Sequence, residues 1–491
     1  ERRKVLNEIN NNTAEPETEY LILNSTAATG DYVGMWNDTL PTSSVVTLGD
    51  DNDVNGDTVS FVMYLFAHDA QEFGAGSDES IIKCGGFTTT GLTADISLGF
   101  EPQFVMTKST STTDDWRMFD NMRGMTTQNG DDALLLANST DAENNFSDYI
   151  SPSANGFSVA NYASGADFIY IAIRRGPMKV PEAGTEVFTP IAYSGTQAST
   201  QNLSFSMVPD VTTIKLRNAV DNNYIQTRLN GANFLQTNEQ DGRSSSATEV
   251  VFFDVVQKGI QIPGIAGTQI AGVNGPASST YVCEAFQRAP GFLDICTWPG
   301  TDVAHTIPHN LTVVPEMMWV KRTDGNAHWA VYANNENTKY AVLDTSLAAG
   351  TGAAYWNSTS PTSSVFTVGT HGDTNASTEN FCAWLWATLA GVSKVGSYTG
   401  TGSDQNIDCG FSSSARYVML KPWDAAGDWI YLDSARGLTT TPTEPYLRYN
   451  TNAIEITSYD YVRGHVSGFS VIGNQTTSNN SGTTYIFLAI A

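Results

Sequence analysis

The stretch MWNDTLPTSSVVTLGDDNDVNGDTVSFVMYLF, residues 35–66, is answered without a gap by YWNSTSPTSSVFTVGTHGDTNASTENFCAWLW, residues 355–386. Trp36 aligns with Trp356 and Phe61 with Phe381, a constant offset of 320 positions. A match this long marks a repeated structural unit, and weaker copies fill the interval. An aromatic residue before a glycine-containing turn recurs at Phe87, Tyr193, Trp298 and Tyr398. A short apolar run ending in lysine follows each, closing at Lys108, Lys215, Lys321 and Lys421. A third element ends at Asn24, Asn138, Asn238, Asp344 and Asn450, and a fourth pairs NGFSV (155–159) with SGFSV (467–471).

The spacing gives a period of about 105 residues. It divides the chain into a non-repeat segment at 1–19, a truncated first repeat at 20–69 that lacks its front half, and complete repeats at 77–178, 184–287, 288–391 and 392–491. One linker stands out, GPMKVPEAG at 176–184, where proline and glycine end the preceding strand and resist helix. Five units of this size placed in line would span roughly 150 Å, the proportions of a stalk or fibre.

Within a repeat, apolar runs of five to seven residues rich in Val, Ile, Phe, Tyr and Thr alternate with turn residues every eight to twelve positions. That rhythm predicts an all-β chain, a tandem array of β-sandwiches of jelly-roll or concanavalin-like type. In DWIYLD (428–433), Trp429 and Tyr431 fall on one face and Ile430 and Leu432 on the other. FIYIAI (168–173) is apolar on both faces and belongs at the centre of a sheet. The nonapeptide PTSSVVTLG (41–49) is expected to form the same loop and strand as PTSSVFTVG (361–369). The strongest helical candidate is DDALLLANSTDAE (131–143), although its counterpart KYAVLDTSLAAG favours strand and then loop.

Charge excludes several partners. The chain carries 25 Lys and Arg against 51 Asp and Glu, a formal charge of −26, so it repels nucleic acid and anionic lipid. No apolar run reaches the roughly 18 residues needed to cross a bilayer as a helix, so no membrane insertion is expected. The opening ERRKVLNEINNN lacks the apolar stretch of a signal peptide, and Glu1 in place of Met suggests a fragment or a processed product. The five cysteines (Cys84, Cys283, Cys296, Cys382, Cys409) show no CxxC spacing and read as small core hydrophobes.

Chemistry has little foothold in the sequence. In HTIPHNL (305–311), His305 and His309 stand four apart, but Pro308 forbids the helix on which that spacing would chelate a metal. DDNDVNGD (50–57) alternates Asp51, Asp53, Asn55 and Asp57 around Gly56, as oxygen-ligand calcium loops do. Val62 stands where such a loop has its bidentate Glu, and the fourth repeat reads THGDTNAS over the same span, so an acidic hairpin loop is the plainer reading and calcium the alternative. WRMFDNMRG (116–124) and WIYLDSARG (429–437) place Asp120 with Arg123 and Asp433 with Arg436 across a turn. An aromatic-plus-arginine sugar site would look like this, but the motif is absent from the third and fourth repeats, and its aromatic residue is read as core. Catalytic residues and a cofactor are not expected.

YLFAHDAQEFGAGSDESIIKCGGF (64–87), FIYIAIRRGPMKVPEAGTEVF (168–188) and FQRAPGFLDICTWPGT (286–301) resemble the junctions between tandem repeats in large structural proteins of marine tailed bacteriophages. The resemblance covers residues 20–491 and implies a virion component on the particle surface. The function it implies is a tail fibre or appendage, homo-oligomeric, assembled with other virion proteins and touching a host-surface glycan or protein. A capsid decoration or head-fibre protein, a carbohydrate-binding or polysaccharide-depolymerising protein and a secreted adhesin are the alternatives.

Overall fold

The computed structural model describes residues 4–5, 16–74, 79–127, 132–145, 148–246, 249–253, 256–264, 272–440, 442 and 444–491. The chain forms two compact units, Glu1–Gly176 and Pro177–Ala491, which meet in sequence at the start of the proline-containing linker. Every strand pairing is antiparallel, as expected of β-sandwiches whose connections are hairpins and returning loops. Among the described residues, no helix is long and apolar enough to cross a membrane.

Each complete repeat is built to one plan. A large sheet carries the lysine-terminated strand, and a small sheet covers one of its faces. In the fourth repeat the large sheet runs Leu293–Pro299, Asn380–Trp386, Met317–Arg322, Ala330–Tyr332, Lys339–Val342 and Gly350–Thr351, in that spatial order. The small sheet pairs His305–Pro308 with Val365–Val368. The last strand of the repeat therefore sits between its first and its lysine-terminated strand. The same insertion is made by Asp167–Arg174 in the second repeat, Thr280–Phe286 in the third and Thr484–Ile490 in the fifth.

This central strand is apolar on both faces, and period-two alternation separates two cores. Phe381, Ala383 and Leu385 face the small sheet of their own repeat, as do Tyr281, Cys283 and Ala285 in the third repeat and Tyr485, Phe487 and Ala489 in the fifth. The alternate residues Cys382, Trp384 and Trp386 meet Val282 and Phe286, and Ile486, Leu488 and Ile490, in a single cluster drawn from all three repeats. Trp429 and Tyr431 lie in that shared cluster, while Ile430 and Leu432 lie in the private core of the fifth repeat, so the alternation read in DWIYLD is realised.

The in-line arrangement expected for the five repeats does not hold in Pro177–Ala491. The outer face of each large sheet is too apolar to meet water. The third, fourth and fifth repeats turn those faces toward one another and share the core.

The first repeat is half a unit. Its helical turn Val33–Trp36 matches Ala353–Trp356, and Asn37 and Asn357 both end the turn in the left-handed region at φ 52°. The indole N–H of Trp36 donates to the Glu19 carbonyl at 2.9 Å, as that of Trp356 does to Lys339 at 2.9 Å. Lys4–Val5, in the segment outside the sequence repeat, pairs with Leu21 and Ile22 just as Ala330 and Val331 pair with Ala341 and Val342. The expected strand in PTSSVVTLG is absent: residues 45–48 are not a strand, whereas Val365–Val368 is. The partner of Val365–Val368 is His305–Pro308, which belongs to the half that the first repeat lacks. The helical candidate at 131–143 forms the short strand Leu135–Leu136 and turns in its described part, residue 131 lying outside the described residues.

Leu488→Ala removes side-chain volume from the shared core and is expected to cost about 2–5 kcal/mol. In calorimetry of the whole chain, the transition of residues 177–491 should move down as one. Early melting of the fifth repeat alone would contradict a common core.

Candidate functional site

The lysine that closes the apolar run of each complete repeat is the first polar group to account for. Lys108, Lys215, Lys321 and Lys421 are all buried, and a buried ammonium needs oxygen partners. Each donates to one carbonyl of its own repeat, on Ser109, Asp221, Ala327 and Gly427 respectively. Each also donates to a carbonyl of a neighbouring repeat. Lys108 reaches Thr26 at 3.4 Å, Lys215 reaches Asn452 at 3.2 Å, Lys321 reaches Gln240 at 2.7 Å and Lys421 reaches Ser346 at 3.3 Å. In Pro177–Ala491 the fourth repeat thus grips the third, the fifth grips the fourth and the third grips the fifth, a closed ring. Burial pushes all four ammonium groups down to about 8.

A second donor repeats beside the lysine. The indole N–H of Trp116 donates to Ile22 at 3.0 Å, that of Trp329 to Gln236 at 3.0 Å and that of Trp429 to Val342 at 2.9 Å, each across a joint. The third repeat has Asn223 at this position. Its side-chain amide donates to the carbonyls of Thr451 at 2.8 Å and Arg448 at 3.0 Å, so it closes the ring as the indoles do elsewhere. The Asn/Asp element of the sequence explains how these residues are held: Asn138, Asn238, Asp344 and Asn450 accept from the backbone N–H of Trp116, Asn223, Trp329 and Trp429.

The closing joint carries a charge cluster as well. Glu284 occupies the shared-core face of its strand, where the fourth repeat has Trp384 and the fifth has Leu488. Thr213 donates to one of its oxygens, and the other lies 3.9 Å from Arg436. Arg436 pairs with Asp433 at 2.5 Å and with Glu455 at 3.4 Å, and Arg217 grips Glu455 at 2.8 Å. Burial, and then the charge of Asp433, pushes the Glu284 carboxyl up to about 8. The guanidinium groups of Arg436 and Arg217 thus share Glu455 across the joint, with Asp433 and Glu284 on the Arg436 side.

The pairs read from WxxxDxxRG are formed as turns. Asp433 accepts from the backbone N–H of Arg436 at 3.0 Å and Asp120 from that of Arg123 at 2.9 Å. Gly437 and Gly124 close these turns at φ 105° and 125°, in the left-handed region that favours glycine. Trp116 and Trp429 are buried rather than presented to a sugar.

Asp51, Asp53, Asn55 and Asp57 lie on and around one helical turn, Asn52–Asn55. Asp51 caps it by accepting from the Asp53 N–H at 2.7 Å, Asn55 donates to the Gly49 carbonyl at 2.9 Å, and Asp57 is exposed beyond it. In the fourth repeat His371 and Asn375 make the same cap and the same bond to Gly369, so this is the shared turn of the fold. Among the described residues no group of three or more His, Cys, Asp or Glu side chains is placed to hold a metal. His305 lies on a strand and contacts Thr301 and Val303, while His309 is buried against the Thr362 carbonyl at 3.2 Å; the two do not converge. Cys283, Cys296, Cys382 and Cys409 are buried, Cys84 is half-buried, and all five are thiols outside any disulfide.

Sequence reading found the lysines as landmarks without a role, and it passed over Asn223 and Glu284. The available signal was the lysine itself: a cation ending an apolar strand at the same place in four repeats calls for a common acceptor. The chain matches the family model of a domain of unknown function, DUF7483, over residues 4–177 and 264–491, and it belongs to that family. No curated protein matches it in sequence.

Lys321→Met would strip the donor from the Gln240 and Ala327 carbonyls and should cost about 1–3 kcal/mol in urea unfolding. The pH effect of Glu284 follows from its raised value. The folded state keeps a proton that the unfolded chain releases above about pH 4.5, so its contribution to stability is lost as pH climbs toward about 8. Glu284→Gln cannot titrate, and its urea midpoint should gain on the wild type between about pH 5 and pH 8. A pH-independent difference would place Glu284 in its ionised form throughout.

Proposed function

We propose that this member of the DUF7483 family is a non-catalytic structural protein of a tailed-bacteriophage virion, a tail fibre or appendage that presents β-sandwich repeats to a host surface. One observation carries the non-catalytic part. Of the polar residues that recur from repeat to repeat, the lysines and the indoles are bonded to the backbone of a neighbouring repeat, and the Asn/Asp acceptors hold the backbone of the indole-bearing residue within its own repeat. Recurrence in this chain thus tracks assembly. The virion part rests on the resemblance of the repeat junctions to those of phage structural proteins. The negative charge of −26 fits a protein that works beside nucleic acid and lipid without adhering to them.

The closed ring changes how such a protein would engage a host. Three sandwiches locked around one core present three related sets of loops at fixed separations. Several weak contacts made together would supply avidity without a deep pocket in any one repeat. Partners are then other virion proteins and a host-surface glycan or protein.

Antibody against the purified chain, used to label intact particles for electron microscopy, is expected to decorate the tail. Label on the head would shift the assignment to a capsid decoration protein, and unlabelled particles would remove the virion reading. Incubation of the chain with host polysaccharide should release no new reducing ends; their release would make it a depolymerase.

A further inference from the structure

The first repeat exposes what every other repeat buries. Residues 61–66, FVMYLF, align with Phe381–Trp386, the inserted central strand of the fourth repeat. Trp384 and Leu385 are fully buried there, whereas Tyr64 is 80% exposed and Leu65 72%. Asn380–Trp386 is hydrogen-bonded on both edges, to Leu293–Pro299 and Met317–Arg322. Residues 60–66 are in no strand. A run of six exposed large apolar residues in extended sequence invites pairing by another strand.

A second, independent observation indicates what is missing. Asn375 in the fourth repeat donates to the carbonyls of Gly369 at 2.6 Å and Val303 at 2.8 Å, and its side-chain oxygen accepts from the Thr301 N–H at 2.9 Å. Its counterpart Asn55 makes the bond to Gly49, which matches Gly369. Val303 and Thr301 belong to the front half of the repeat, between Leu293–Pro299 and His305–Pro308. Residues 45–48, 60–66 and Asn55 thus align with the positions of the fourth repeat that bond to its front half.

We infer that residues 60–66 form a docking edge for the front half of their own repeat type, an antiparallel set of apolar strands like Leu293–Pro299 and Met317–Arg322, carried by polypeptide that precedes Glu1. The direction of the chain selects this source. Lys4–Val5 takes the place of Ala330–Val331, and in the fourth repeat the strand next to Ala330–Tyr332 is Met317–Arg322, joined to it by a seven-residue loop. Polypeptide running into Lys4 along the same path delivers its strand between Lys4–Val5 and residues 60–66. A second copy of the chain is a poorer source. In its complete repeats the front strands are already paired with the repeat's own last strand.

The test compares residues 1–491 with two chimeras that carry residues 288–329 joined ahead of Lys4. The first chimera keeps residues 60–66, and the second has them replaced by the sequence of Asn380–Trp386. Amide hydrogen exchange is read at 60–66, with Asn380–Trp386 of the fourth repeat as the internal reference for folding, beside size-exclusion chromatography. In residues 1–491 the amides at 60–66 should exchange as open chain, and the first chimera should slow them by about 100-fold or more while remaining monomeric, as the second does with a sequence already known to pair with these strands. Failure of the first chimera to protect 60–66, with the reference strand protected, would overturn the inference. So would protection of 60–66 in residues 1–491 alone together with a dimer on the column, because a second copy would then be the occupant.

Discussion

A strand that is apolar on both faces has to be covered twice, and the architecture of Pro177–Ala491 follows from that requirement. The small sheet of each repeat covers one face of Thr280–Phe286, Asn380–Trp386 or Thr484–Ile490. The other face is covered chiefly from outside the repeat. Two further repeats cover it, and the outcome is a cluster that runs from Phe188 through Trp384 to Ile490. Neither sandwich-by-sandwich stability nor a flexible string is compatible with such a surface, because separating the repeats would expose tryptophans to water.

Apolar attraction has no direction, and a ring needs one. Direction comes from hydrogen bonds that cross each joint, an ammonium and an indole or amide meeting carbonyls of the neighbour. A buried Lys that lost its carbonyls would carry an uncompensated charge, so a displaced joint costs more than the apolar contacts it gives up. The third repeat departs from the pattern in two ways, Asn223 for Trp and Glu284 for an apolar residue, and both changes lie at the joint that closes the ring. Three identical joints would leave the order of repeats unspecified. A distinct closing joint fixes it.

Much of the fold is legible in the sequence because alternation and turn spacing are local signals. DWIYLD and FIYIAI announce their faces residue by residue, and the match between 35–66 and 355–386 declares the repeat. The candidate sites were harder to read for a physical reason. A side chain's role at a joint depends on a partner about 80 to 240 positions away, as for Lys321 with Gln240 or Lys215 with Asn452, and no periodicity encodes that distance. The expected strand at 41–49 failed on the same ground. Its sequence matches that of Val365–Val368, but a strand is made by its neighbour, and the neighbour is absent.

Placing the last strand of each repeat between two earlier ones also sets an order of events during synthesis. Leu293–Pro299 leaves the ribosome about 85 residues before Asn380–Trp386 can pair with it, and the third and fourth repeats await Thr484–Ile490 before their common apolar surface is sealed. Until then the nascent protein displays tryptophans that bind chaperones or aggregate. A topology that makes the finished ring rigid therefore makes its birth the most vulnerable stage of its existence.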